Sequence, residues 1–190
     1  MTQYGMGDPA MLSTRQLEQP DNDFWRTPAW VTQALLSRIK TPPRVWEPAC
    51  GDGAMAAVLV ERGHDVHATD LIDRGYGGGG ADFLTAAAPF DLSETAIITN
   101  PPYEGGLSDH FVARALAHRP QMVAMLLRNE WDSAGKRDVF LRKGSGFAAK
   151  LVLTRRPRWI ADTKGSPRHN YAWYVWWRGH TTSPALLYGR

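Results

Sequence analysis

The sequence predicts an α/β protein whose doubly wound, mostly parallel sheet carries an antiparallel C-terminal strand pair, and three stretches predict it. Arg44 to Asp70 reads as strand, glycine-rich turn, helix and strand, the βαβ unit that brings two strands side by side in parallel. Met122-Val123-Ala124-Met125-Leu126-Leu127 is a continuous apolar run bounded by Pro120 and Arg128, as expected of a strand buried on both faces. Leu151 to Thr154 and Tyr171 to Trp177 then follow one another with no helical pattern between them, which implies antiparallel pairing.

The elements follow in order. Residues 1–21 are polar and without apolar periodicity, and read as a poorly ordered arm. Residues 22–190 read as one domain. Thr27-Pro28 matches a helix N-cap followed by proline at the first helical position, and Val31, Leu35, Leu36 and Ile39 recur at helical spacing, so a helix is expected from Pro28 to Lys40. Arg44 to Glu47 forms the first strand, Pro48 to Gly53 the turn, Ala54 to Arg62 the next helix, and Asp65 to Asp70 a second strand ending in an acid. Ile72 to Gly80, with four consecutive glycines, reads as a loop long enough to reach over a ligand, or as a plain surface loop. Ala96 to Thr99 is a further buried strand, followed by Asn100-Pro101-Pro102-Tyr103 and a helix from Ser108 to His118. In the strand Tyr171 to Trp177, alternation places Trp173, Val175 and Trp177 on one face and Ala172, Tyr174 and Trp176 on the other. Burial between helices explains these aromatics better than a nucleobase platform does.

Composition excludes several classes. The 190 residues contain one cysteine, Cys50, so no intramolecular disulfide framework exists, and a reducing cytoplasm fits best. Cysteine and histidine nowhere fall at metal-ligand spacing, so no metal site is expected. No apolar run approaches the roughly 20 residues that span a bilayer, and no membrane association is expected. A net charge of +3 with a pI near 9.2 permits a polyanionic partner without requiring one.

Chemistry concentrates in two places. In Asn100-Pro101-Pro102-Tyr103, two prolines remove two backbone donors just beyond a strand end, leaving carbonyls and the Asn100 amide pointing outward with an aromatic beside them. Such a cluster suits a flat group carrying an exocyclic –NH2, although the same residue types also make ordinary turns. Glu47-Pro48-Ala49-Cys50-Gly51-Asp52-Gly53 lies between a strand and its helix, where glycines let a ligand approach the backbone, and Asp70 ends the next strand where a ribose-binding acid belongs. The stretch Gly51 to Ala56 also fits a loose dinucleotide pattern, so a nicotinamide or flavin cofactor must be weighed. Glu47 and Asp52 would repel a diphosphate, and a third acid, Asp82, precedes Phe83. A positively charged sulfonium tolerates all of them, which favours S-adenosylmethionine.

Taken together, Thr27-Pro28, the turn from Glu47 to Gly53, Asp70, Asp82-Phe83 and Asn100-Pro101-Pro102-Tyr103 resemble the amino-methyltransferases that modify exocyclic nitrogens. The order, cofactor turn first and Asn-Pro-Pro-Tyr second, is similar to that of gamma-type DNA adenine-N6 methyltransferases, in particular the short phage and prophage forms. The resemblance covers Asn22 to Trp177 and implies a class I, Rossmann-like methyltransferase domain. It implies that the Glu47 to Gly53 turn lines the methionine part of the cofactor, with Thr27 and Pro28 beside its carboxylate. Asp70, followed by Leu71, would hold the ribose, and Asp82 the adenine amine, with Phe83 near the ring. Asn100 and the Pro101 carbonyl would accept from the target amine, Pro102 would stiffen the turn, and Tyr103 would stack on a flipped base.

One departure bears on the substrate. Sequence-reading DNA methyltransferases usually carry an added recognition domain, and little chain follows Trp177 here. Recognition would then fall to the Asp162 to Asn170 loop and the N-terminal arm, or to a partner, or the substrate is not duplex DNA. The basic stretch Arg155, Arg156, Arg158, Lys164, Arg168 and His169 could hold phosphates or be a solvated loop. DNA adenine comes first among the substrates. A protein glutamine amide and an RNA base are the alternatives, and a non-catalytic binding module and a nicotinamide-dependent oxidoreductase are the readings from other classes. Oligomeric state is not legible.

Overall fold

The computed structural model describes residues 24–159 and 167–190. The expected N-terminal arm, and Asp162 to Ser166 of the expected polar loop, lie outside the described residues. Seven strands form one sheet: β1 (Arg44–Glu47), β2 (Asp65–Ala68), β3 (Thr95–Thr99), β4 (Met122–Arg128), β5 (Phe147–Leu153), β6 (Tyr171–Trp177) and β7 (Ala185–Gly189), in the order β2-β1-β3-β4-β6-β5-β7. The helices are α1 (Ala29–Arg38), α2 (Ala54–Glu61), α3 (Leu107–Ala117) and the short α4 (Asp138–Leu141). Strands β2, β1, β3 and β4 pair in parallel, β6 is antiparallel to both β4 and β5, and β7 is parallel to β5. The expected antiparallel pair is present, and β6 is the only strand of this sheet that runs against the others.

Two apolar layers sandwich the sheet. On one face α1 and α2 bury Val31, Leu35, Met55 and Leu59 against Val45, Ile98, Leu126, Leu151, Trp173 and Val175. On the other, α3 buries Phe111, Val112 and Ala115 against Trp46, Ile97, Val123, Met125, Tyr174 and Trp176, and Trp131 closes that layer. The aromatic strand therefore belongs to the core on both faces, as its alternation implied. Its indole nitrogens find carbonyls: Trp173 Nε1–H donates to Val31 O at 3.0 Å, and Trp176 Nε1–H to Phe140 O at 2.7 Å. Each bond ties a sheet residue to a segment packed over it, because a buried indole N–H without a partner is costly.

Several boundaries move. Pro28, not Thr27, is the N-cap residue of α1, with extended backbone, and no side chain caps that end. The Thr27 hydroxyl accepts from Asn100 instead. Strand β5 starts at Phe147, earlier than its apolar run suggests, and a register shift between Phe147 and Ala149 accommodates the added Phe147-Ala148-Ala149-Lys150 in the ladder. Strand β7 was not expected. Its signal, Ala185-Leu186-Leu187-Tyr188, is a short apolar run after Ser183-Pro184. Leu187 packs on the core, whereas Leu186 and Tyr188 are 59% and 55% exposed on this edge strand. The glycine loop is tied down at Gly78, whose N–H donates to Ala68 O and whose carbonyl accepts from Asp70 N–H, both at 3.0 Å. Among the described residues no helix is long and apolar enough to cross a membrane.

All six parallel strands end at one edge, and so do the segments that carry Glu47, Asn100, Arg128 and Tyr171. Helix α1 reaches that edge through the Trp173–Val31 bond. Trp173→Phe is expected to cost about 1–3 kcal/mol. Urea unfolding checks this: the midpoint should fall with an unchanged slope, and an unchanged midpoint would show that α1 docks without it.

Candidate active site

A cavity of about 330 Å³ opens at this edge, within the usual range for a small-molecule pocket. It joins both regions singled out in the sequence. One end is walled by Thr27, Glu47 to Asp52, Asp70, Leu71, Asp82 and Phe83, and the other by Asn100, Pro101 and Pro102. Pro28, Gly53 and Tyr103 lie outside its wall.

The turn after β1 is built for close approach. Gly51 and Gly53 both have left-handed backbone, with φ of 57° and 81°. A Cβ on Gly51 would collide with the Phe24 ring, and one on Gly53 with the Tyr76 ring. Phe24 and Tyr76 therefore lie directly against the turn, and Arg74 sits 4.3 Å over the Phe24 ring. Arg26 reaches Asp52 at 2.6 Å on the surface. Sequence reasoning missed Phe24, Trp25 and Arg74 as cavity residues. For Phe24 and Trp25 the available signal was an aromatic pair one residue before Thr27-Pro28.

The acids are held by backbone. Asp70 accepts from Gly51 N–H at 2.8 Å and from Ile72 N–H at 2.9 Å, which ties the end of β2 to the turn after β1. Asp82 accepts from Leu84 N–H at 2.9 Å and from the Thr85 hydroxyl at 3.2 Å. A carboxylate has about four acceptor positions, so both keep capacity for a ligand hydroxyl or amine. Leu71, 61% exposed, flanks the cavity as an apolar wall. Phe83, 2% exposed, packs its ring edge-on against Trp46 at 5.1 Å and beside Phe111 at 5.0 Å.

Glu47 stands apart. It is 2% exposed, and among the described residues its Oε2 has no hydrogen-bond partner. Burial, and after it the charge of Asp70, push its carboxyl well above the usual carboxylate range, and the Ala56 N–H offsets only part. A buried carboxyl oxygen without a partner, beside two further acids, fits a cationic ligand and opposes a diphosphate. The neighbouring Cys50 thiol is pushed up to about 12, chiefly by burial and then by Glu47, so it is a packing group rather than a nucleophile. Among the described residues no cluster of His, Cys, Asp and Glu is arranged to hold a metal ion.

At the other end, Asn100 Nδ2 donates to Trp25 O at 3.2 Å and to Thr27 Oγ1 at 3.1 Å, and Oδ1 accepts from the Tyr103 hydroxyl at 2.5 Å. Beyond it run aromatic contacts: Tyr103 to Tyr171 at 5.8 Å, Tyr171 to Trp159 at 4.9 Å, and Trp159 to Trp25 at 6.2 Å. Arg128 sits 5.5 Å over the Tyr171 ring. Exposed Arg155, Arg156, Arg158 and Arg168 lie on the two segments that flank this edge, and Arg156 donates to Asn170 Oδ1 at 2.8 Å. Lys164 of the expected basic stretch lies outside the described residues.

The Glu47 arrangement has a measurable consequence. Because the folded carboxyl titrates high, its contribution to stability is whole below the ordinary carboxylate range and is lost as pH rises through the raised value. The ligand-free protein should lose thermal stability as pH rises above the ordinary carboxylate range, and Glu47→Gln should flatten that part of the profile and raise the midpoint at its alkaline end. Parallel profiles for the two proteins would show that another group titrates there.

No protein-family profile matches the chain, and neither does any curated protein. Solved structures do resemble it. A protein from Listeria monocytogenes, described as a class I S-adenosylmethionine-dependent methyltransferase, superposes with a TM-score of 0.59 at 15% identity over 94% of this chain and 69% of its own. The methyltransferase subunit of a type I restriction-modification system from Streptococcus thermophilus gives 0.60 at 14% identity, over 83% of this chain and 45% of its own, so the present chain spans less than half of it. The 23S rRNA methyltransferase ErmE gives 0.55 at 18% identity over 83% of this chain and 71% of its own. At such identities the likeness is one of fold. The sheet, its single reversed strand and the helices on both faces are those of the class I methyltransferase fold.

Proposed function

We propose that the chain transfers a methyl group from S-adenosylmethionine to an exocyclic amino nitrogen, with adenine N6 in DNA as the first substrate. One observation carries the reading: a single cavity joins the acid-lined turn of Glu47 to Asp52 to the Asn100-Pro101-Pro102 turn. The unpartnered Glu47 oxygen supports a cationic cofactor, and the gamma-type order of the motifs supports an amine acceptor. S-adenosylmethionine would supply a methyl group on a sulfonium.

The chain's own residues do the rest. Asp70 and Asp82 would accept from the ribose and adenine groups, and Leu71 would cover an apolar face. An exocyclic amine conjugated to a ring is a poor nucleophile, because its lone pair is delocalised. Asn100 Oδ1 and the Pro101 carbonyl would accept its two N–H bonds, localising the lone pair and aiming it at the methyl group. With S-adenosylmethionine bound, the N–C bond would form as the methyl–sulfur bond breaks with its electron pair left on sulfur, and the nitrogen would release its proton to water. Arg155, Arg156, Arg158 and Arg168 would bind phosphates beside this mouth. The kinship in fold with a restriction-modification subunit supports a partner that supplies sequence recognition.

Labelled methyl transfer to duplex DNA, single-stranded DNA, RNA and protein, run side by side, tests the reading. Transfer to DNA is expected, with Asn100→Ala reducing it by roughly a hundredfold or more. Labelling confined to RNA or to protein would move the substrate, and calorimetric binding of NAD without any of S-adenosylmethionine would overturn the proposal. Replacing Arg155, Arg156 and Arg168 by alanine together should weaken DNA binding while leaving cofactor affinity unchanged. The salt dependence of that binding should become shallower by about one unit of slope for each phosphate no longer neutralised.

A further inference from the structure

The Asn100 carboxamide is locked from both ends. Its two N–H bonds are engaged by Trp25 O and Thr27 Oγ1, on the segment that leads into α1. A backbone carbonyl only accepts, so turning the amide over would set Asn100 Oδ1 against Trp25 O and lose that bond, even though the Thr27 hydroxyl could then donate instead of accept. Oδ1 must then face the other way, toward Tyr103. A carboxamide oxygen has two lone pairs, and the Tyr103 hydroxyl takes one of them.

Tyr103 itself is oriented unlike a stacking platform. Its ring packs edge-on against Tyr171 and touches both apolar layers, and it does not line the cavity. Its hydroxyl has one proton and two acceptors in reach, Asn100 Oδ1 at 2.5 Å and Leu126 O at 2.9 Å at the end of β4. The proton can swing from one to the other without movement of the ring.

Resting on the methyl-transfer reading, we propose that Thr27 and the Tyr103 hydroxyl are positioning residues that lock Asn100 with its oxygen presented to the target amine, Tyr103 handing its hydrogen bond to Leu126 O when the amine arrives. Tyr103 acts here through its oxygen, not through its ring face. The device selects a guest that donates N–H to Oδ1, since only a donor compensates the hydrogen bond that Tyr103 withdraws. Thr27 serves as the acceptor that holds the other side of the amide, which is why its hydroxyl is absent from the α1 cap.

The test uses the full chain with S-adenosylmethionine and an adenine-containing DNA duplex. Tyr103→Phe keeps the ring and removes the hydroxyl, and Thr27→Val keeps the shape and removes the acceptor. Each should lower the single-turnover rate by roughly tenfold, and Tyr103→Phe, which lies outside the cavity wall, should change cofactor and DNA dissociation constants by no more than about twofold. Thr27→Ser should recover most of the rate. The double variant should lose less than the product of the two, because both act through one amide. A wild-type rate in Tyr103→Phe, or losses that simply multiply, would overturn the proposal. Side-chain amide resonances of Asn100 give a readout that does not need turnover: Thr27→Val and Tyr103→Phe should each shift them and speed their hydrogen exchange. Absence of methyl transfer by the wild type would refute the functional reading, whereas unshifted Asn100 resonances would refute the lock by itself.

Discussion

The Trp173 indole, donating to the Val31 carbonyl across the sheet–helix boundary, is the interaction from which the geometry of the site descends. Trp173 is wholly buried on β6, and Val31 lies in the first turn of α1. Fixing the start of that helix fixes Thr27 and Trp25 just before it, and these hold the Asn100 amide at the end of β3. The core and the site are therefore one construction. A packing residue in the antiparallel strand sets the orientation of a polar group on a parallel one.

The second constraint is electrostatic. Glu47 is buried beside Asp70 and Asp52, an arrangement that destabilises the ionised carboxylate and that a core built only for stability would replace. Strain of this kind is found where a ligand removes it. Asp70 accepts from the Gly51 and Ile72 N–H groups, which makes it both a structural tie between two loops and a remaining acceptor. The glycine conformations at Gly51 and Gly53 complete the arrangement by making room for Phe24 and Tyr76 against the turn.

Much of this was legible beforehand, for identifiable reasons. Strands β3, β4 and β6 are buried on both faces and announce themselves as apolar runs, and helix α1 by apolar periodicity. The glycines of the Glu47 to Gly53 turn and the prolines after Asn100 mark places where the backbone does something unusual. Edge strand β7 was not legible, because one face stays exposed and its pattern is weak. Nor was the start of β5, where a register shift admits residues with low strand preference. The glycine run suggested a loose loop, yet a backbone pairing at Gly78, which leaves no mark on side-chain composition, holds it to β2.

By itself the sequence determined the layered α/β plan, the residues of the cofactor-type turn and the Asn-Pro-Pro-Tyr turn, because local conformational preference and hydrophobic pattern reside in neighbouring residues. Only the tertiary structure decided what those side chains do to one another. Thr27 reads locally as a helix cap, and becomes an acceptor for Asn100 because a strand end far along the chain arrives beside it. Tyr103 reads as an outward aromatic, and turns inward because Leu126 and Tyr171 offer its hydroxyl and ring a place in the core. Phe24 and Arg74 reach the cavity in the same way. Hydrogen-bond satisfaction and burial are settled between segments distant in sequence, and no window of neighbouring residues contains that information.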